Sequence, residues 1–283
     1  MARHATPKSP SRTANALGSA VPRPVREEGA RAPHPPHSPQ PRVYLASQSP
    51  RRQELLTQLG WSFELLLPKS LSDLAGLKGL KGLKGLVALA PGGQGDRALH
   101  RAKPSPAPSL SQALEDLERP QAGEGALAYV QRVTRLKFEL ARLSALSLGA
   151  AYRPSSPILC ADTTVALGGE ILGKPQSSQE ARSMLQALSG RTHRVYTSVV
   201  VGGLRDHQQR LSRSWVSFAP MSASAIEGYV QTQEWRGKAG GYAVQGLAAA
   251  YIEEIRGSYS GIMGLPLFEC ASLLEDYGRG HGA

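Results

Sequence analysis

The run Leu45-Ala46-Ser47-Gln48-Ser49-Pro50-Arg51-Arg52-Gln53-Glu54-Leu55-Leu56 constrains this chain more than any other. An apolar segment passes through a turn of small hydroxyl residues into a helix opened by proline. Ser49 is placed to cap that helix, and Pro50 suits the first helical position, where an N–H would have no intrahelical partner. A helix start carries unpaired N–H groups and partial positive charge. Arg51 and Arg52 add planar donor forks that match phosphate oxygens. From this string alone, a solvated helix cap and a polyphosphate cradle read equally well.

The rest of the chain supplies the context. Residues 43–47 read as a short apolar strand, and Leu55, Leu56 and Leu59 share one face of the following helix, which stops at Gly60. Residues 61–67 form a second apolar run. Three tandem Gly-Leu-Lys triplets from Gly76 then break the pattern. A period of three drifts around a helix, and each interior glycine costs about 1 kcal/mol relative to alanine. Residues 75–124 therefore read as a low-complexity insertion with a short helix around 110–117. Such basic triplets also suit a lipid or nucleic-acid patch, but an unstructured insertion is the better account.

Beyond the insertion, 126–147 reads as a long helix carrying Lys137. Residues 157–167 form an apolar strand interrupted by Asp162, Thr163 and Thr164. A Gly168-Gly169 turn, a short strand to Gly173 and the Lys174-Pro175 break follow. Ser177 and Glu180 form a capping box for a helix bearing Ala181, Met184, Leu185 and Leu188. Segments 194–202 and 210–218 read as a hairpin, 225–232 as a helix, 235–246 as a glycine-rich loop, 248–255 as a strand and 266–277 as the last helix. Strands and helices alternate around one antiparallel hairpin, which gives an α/β fold with a mixed twisted sheet flanked by helices.

Charge and composition narrow the partners. The net charge is +11, of which residues 1–42 supply about +5, from seven Lys/Arg against Glu27 and Glu28. That segment is rich in proline and lacks apolar periodicity, so it reads as a disordered basic extension before a domain at 43–278 and a tail at 279–283. Its arginines also fit a transit peptide, although its prolines oppose the amphipathic helix such peptides form. No run approaches a membrane span of about 20 apolar residues. Cys160 and Cys270 read as buried reduced thiols in a cytoplasmic protein, and no Cys/His spacing resembles a zinc site.

Asp162 is the leading catalytic candidate. A carboxylate within an apolar strand is costly unless it is paired, binds a metal or lies at a functional edge. The alternative is a carboxylate that caps a turn. Lys174 lies where its ammonium could face the same crevice. The loop 237–246 can bring backbone close to a ligand, and Gln245 offers both a donor and an acceptor to a base edge. His193 reads as a local structural hydrogen-bond partner. Trp61, Tyr242 and Tyr251 read as packing residues.

Six blocks in order resemble the Maf family of nucleoside triphosphate pyrophosphatases: LASQSPRRQELLTQLG, the helix with Lys137, ADTTVALGGEILGKP, EARSMLQALSGRTHRV, GKAGGYAVQG and GSYSGIMGLPL. The resemblance implies two lobes around a nucleotide cleft and cleavage between the α and β phosphates. By motif position, Asp162 would accept the proton of the attacking water. A Mg²⁺ or Mn²⁺ ion would assist, because an ordinary Asp, with a pKa of about 3.9, is a weak base. Ser47, Arg52, Lys137 and Lys174 would surround the triphosphate.

Arg51, Thr163 and Gln245 match the members acting on dTTP and UTP. A 7-methyl-GTP-type subgroup tends to carry Trp, Gln and Glu there. Family members also place an acidic residue, most often Glu, near the metal shortly after the second strand, where this chain offers Asp73. The resemblance further implies a homodimer. The alternatives are the 7-methyl-GTP-type activity and a weakly active nucleotide-binding regulator of cell division. Nucleic-acid binding rests only on the basic tail and the triplets.

Overall fold

A computed structural model describes residues 42–67, 115, 116 and 118–280. The N-terminal extension, most of the expected insertion and the last residues, with Asp73 and the Gly-Leu-Lys triplets, lie outside the described residues. The first elements are β1 (Val43–Leu45), α1 (Pro50–Gln58), β2 (Phe63–Leu65), α2 (Ala126–Ser147), β3 (Ile158–Leu167) and β4 (Glu170–Leu172). They are followed by α3 (Ser178–Leu188), β5 (Thr192–Gly202), β6 (His207–Phe218), α4 (Ala223–Gln231), β7 (Ile252–Arg256), α5 (Tyr259–Met263) and α6 (Leu267–Gly280).

The strands form one mixed sheet in the order β2-β1-β3-β5-β6-β7, with β4 also paired to β3. β1 runs parallel to β2 and β3, and the remaining pairs are antiparallel. This is the expected α/β architecture.

Side-chain alternation along β3 organises the core. Leu159 and Ala161 face α1 and α6, meeting Leu55, Leu56, Leu273 and Leu274. Ile158 and Cys160 face the other way, onto Phe138, Ala141 and Ala145 of α2. Val165, further along the first face, joins Leu185, Leu188, Val216, Phe218 and Tyr242 in a separate cluster. Full burial of each large aliphatic side chain is worth about 1.5–3 kcal/mol relative to exposure. One body of packing therefore gathers around β1, α1 and α6, and another around α3, α4 and the glycine loop.

The functional opening is a gap in the sheet between them. β1 pairs with β3 only at Ile158 and Leu159, and β4 pairs only from Val165 onward. No described strand pairs the intervening edge, residues 160–164. Asp162 and Thr163 lie in that gap, backed by Ser198 and Thr197 of β5.

Several boundaries differ from the sequence reading. The strand expected at 248–255 begins as a 3-10 turn, Leu247–Tyr251, and pairs with β6 only from Ile252. The backbone N–H of Ala249 bonds the Gly246 carbonyl, which winds this stretch before it can extend. The second apolar run narrows to Phe63–Leu65, and the hairpin strands both begin earlier than expected. Ser49 occupies the N-cap position of α1 but makes no side-chain capping bond. Its own backbone N–H instead donates to the Ser47 hydroxyl, 3.2 Å away.

Candidate active site

A cleft opens at the sheet gap. It holds about 750 Å³ of empty space, the open solvent at its mouth included. Arg51, Arg52, Lys137, Asp162, Thr163, Lys174 and Gln245 all line it. Ser47 does not. It lies buried behind the wall, and its hydroxyl accepts from Arg52 Nη1 at 3.2 Å.

The two arginines are anchored before any ligand arrives. Arg51 Nε donates to the Met263 carbonyl at 3.3 Å, and Arg52 Nε to the Gly264 carbonyl at 2.8 Å. These bonds tie the start of α1 to the end of α5 and fix both guanidinium planes. Gly264 makes that approach available. Its φ of +125° is ill suited to other residues, and an added Cβ would lie 3.4 Å from Arg52 Nε. Burial lowers the pKa of both guanidinium groups, and the charge of Arg52 lowers that of Arg51 further.

Asp162 is reached from α2. Val130, Thr134, Lys137 and Ala141 recur at helical spacing along the stripe of α2 that faces the sheet. Lys137 is thus carried in along an otherwise buried face, and its Nζ lies 2.7 Å from Asp162 Oδ1. Burial opposes the Lys137 charge, but the Asp162 and Glu118 carboxylates outweigh it and hold the ammonium above its ordinary range. Such a pair offsets the cost of placing a carboxylate within the sheet.

Thr163 faces the opposite side of β3. Its hydroxyl lies 3.0 Å from Thr197 Oγ1, whose single proton goes to the Gly261 carbonyl at 2.6 Å, so Thr163 is the donor of that pair. Lys174 and the glycine loop close the far wall. Gly240, with φ +70°, donates its N–H to the Gly173 carbonyl at 2.9 Å, and an added Cβ would meet Val165 at 3.0 Å. This close approach carries Lys238 and Gln245 to the cleft. Behind them, His193 Nε2 bonds the Tyr242 hydroxyl at 2.7 Å, the structural role expected for it, and its ring stacks on Phe218. Trp61 and Tyr242 are buried in the packing clusters, as expected.

Sequence reasoning missed Glu118. It falls inside the stretch read as insertion, yet its Oε2 lies 3.2 Å from Lys137 Nζ. The adjoining chain is gripped by α2. Arg132 donates to the Arg119 carbonyl at 2.9 Å and forms a two-pronged pair with Glu124 at 2.6 and 2.7 Å. The end of the supposed insertion, to residue 124, thus belongs to the wall of the site. A signal existed in the cluster of acidic residues just before α2.

A model of the family described as Maf-like protein matches residues 42–277. The chain belongs to the Maf family. Among similar proteins, a dTTP/UTP pyrophosphatase of Burkholderia lata is 46% identical over 239 residues, covering 83% of this chain and 92% of that protein. One of Albidiferax ferrireducens is 43% identical over 238 residues, covering 83% and 96%. A third, from Cupriavidus pinatubonensis, is 46% identical over 235 residues, covering 82% and 95%.

In this Maf protein, among the described residues, Lys137 is held by two carboxylates, Asp162 and Glu118. Among the described residues no helix is long and apolar enough to cross a membrane, and no three His, Cys, Asp or Glu side chains cluster as metal ligands.

Proposed function

We propose that this chain is a nucleoside triphosphate pyrophosphatase that hydrolyses dTTP and UTP to the monophosphate and pyrophosphate. The observation that carries the reading is the placing of one carboxylate, Asp162, at the open edge of β3 beneath a cleft lined by five cations, Arg51, Arg52, Lys137, Lys174 and Lys238. Relatives over 40% identical bear the name dTTP/UTP pyrophosphatase.

The chemistry follows from the charges. Asp162 is positioned to take a proton from the attacking water. Arg52 and Lys137 flank it, and with Lys174 they neutralise charge that builds on the phosphate oxygens as the α–β bond breaks. Because Nε of Arg52 is already engaged with Gly264, its orientation is set in advance. Thr163 and Gln245 provide neutral polar groups on the base side, and Val165, Val195 and Ile262 offer an apolar surface.

The residues present fit a divalent cation. Asp162 and Glu118 are hard oxygen donors that bracket a single positive group, the Lys137 ammonium. Mg²⁺ is commonly held by one or two carboxylates together with substrate phosphates. Asp162 and Glu118 would hold such an ion, which would supply Lewis-acid neutralisation and a more acidic water. A cytoplasmic setting is supported by the two cysteines, which are free and buried.

Purified protein with Mg²⁺ is expected to release pyrophosphate from dTTP and UTP, and Asp162→Asn to reduce this at least a hundredfold, in line with the worth of a positioned base. Full activity in Asp162→Asn would overturn the assignment of the base. Preference for 7-methyl-GTP over UTP would overturn the substrate class.

A further inference from the structure

Lys238 is the one cleft cation to which neither the family motif nor the mechanism above gives a task. It belongs to the glycine loop pinned against β3 by Gly240. Its Nζ donates to the Arg236 carbonyl at 3.1 Å, which fixes the ammonium and leaves two of its three protons for a ligand. Across the cleft stands Arg51, itself fixed through Nε to Met263. Among the described residues Asp162 is the sole carboxylate lining the cleft, and it is bound to Lys137; Glu54 and Glu234 act on Arg51 and Lys238 from outside the lining, but burial and, for Lys238, the facing Arg51 charge outweigh them. Burial and the Arg51 charge together lower the Lys238 pKa. Two fixed like charges facing one space define a place for electron-rich oxygen and a poor place for another cation.

Gln245 lies on the same wall but cannot set this polarity. Its amide presents a donor and an acceptor and serves either kind of base edge. Arg and Lys side chains only donate. Uracil and thymine are neutral and present two carbonyl oxygens, whereas 7-methylguanine carries a positive charge.

We propose that Lys238 is a specificity-determining residue: with Arg51 it forms a paired-cation edge that favours a neutral base presenting carbonyl oxygens and disfavours a positively charged base. This rests on the nucleotide reading above and deepens it. Arg51 alone could hold one oxygen by its fork. Lys238 supplies the second charge, so a cationic base meets repulsion from both walls.

The test is the set of dissociation constants for UTP, GTP and 7-methyl-GTP, measured by calorimetry in EDTA on the full chain, Lys238→Met and Lys238→Arg. GTP and 7-methyl-GTP share size and triphosphate and differ in the base charge. Lys238→Met should weaken UTP about tenfold, and the ratio of the 7-methyl-GTP constant to the GTP constant should fall about tenfold, consistent with loss of one charged partner. Lys238→Arg should restore both. A common factor for all three ligands would overturn the proposal and assign the ammonium to the triphosphate. Unchanged constants would overturn it too, leaving only the bond to Arg236. Circular dichroism checks that each variant is folded. Binding is read without metal or turnover, so its failure is distinct from failure of wild-type protein to release pyrophosphate from UTP.

Discussion

Acidification should destabilise this protein through one residue, His193. The ring is 1% exposed, stacks on Phe218 and bonds the Tyr242 hydroxyl through Nε2, while Nδ1 has no partner. Burial pushes its pKa down from 6.5 to about 4. Above the unfolded value both states are neutral, and the full stability is present. As pH falls below about 6.5, the unfolded chain takes up a proton that the folded chain refuses, and stability is lost until the folded value is passed. The loss should reach about 2 kcal/mol by about pH 5 and roughly 3 kcal/mol in full. Urea midpoints for wild type and His193→Gln at about pH 7.5 and about pH 5 separate this contribution from that of the carboxylates, which both proteins share. Wild type should lose more stability across that interval, by the amount given. Parallel losses in the two proteins would refute the burial argument.

Two further substitutions probe the wall. Glu118→Gln should raise the Mg²⁺ concentration needed for half-maximal pyrophosphate release about tenfold, comparable to the loss of a supporting metal ligand, as a metal titration at fixed UTP will show. An unchanged titration would remove Glu118 from the ion's surroundings. Gly264→Ala, at a φ of +125°, should cost about 1–3 kcal/mol in thermal or urea unfolding and raise KM for UTP, because the added methyl crowds Arg52 Nε. An unaltered KM would separate Arg52's orientation from substrate binding.

How far the sequence disclosed the site depended on the reach of each signal. Asp162 stood out because one carboxylate interrupted an apolar strand, and the structure places it in the one stretch of β3 edge without a described neighbour. Lys137 was legible through the motif, and its geometry follows from helical spacing with Val130 and Ala141. Ser47 and Ser49 show the limit of local reasoning. Ser49 suited a cap and Ser47 a phosphate contact, but the Ser47 hydroxyl instead accepts from Arg52 and from the Ser49 N–H. Glu118 was lost because its position depends on Arg132 gripping Arg119 and Glu124. No periodicity announces a bond between a helix side chain and a preceding irregular segment. The strand expected at 248–255 begins only at Ile252 for a related reason, since alanine-rich sequence tolerates both a 3-10 turn and extended backbone.

The distribution of charge bears on what the net +11 means. A basic chain with a basic tail invites a nucleic-acid reading, yet five of the described cations converge on one concave site. A cleft focuses the field of its charges and draws in a small polyanion. Of the five cations lining the cleft, Arg52, Lys137 and Lys174 suit a triphosphate, whose every phosphoryl group is ionised near neutral pH. Lys137 cannot be counted as freely available among the five, because Asp162 and Glu118 already hold it. A phosphate oxygen would compete with those carboxylates for its protons and so draw Lys137 away from its 2.7 Å pair with Asp162. The lysine that pairs with Asp162 is therefore also the group on which the substrate's charge would pull, so substrate position and the surroundings of Asp162 are tied together.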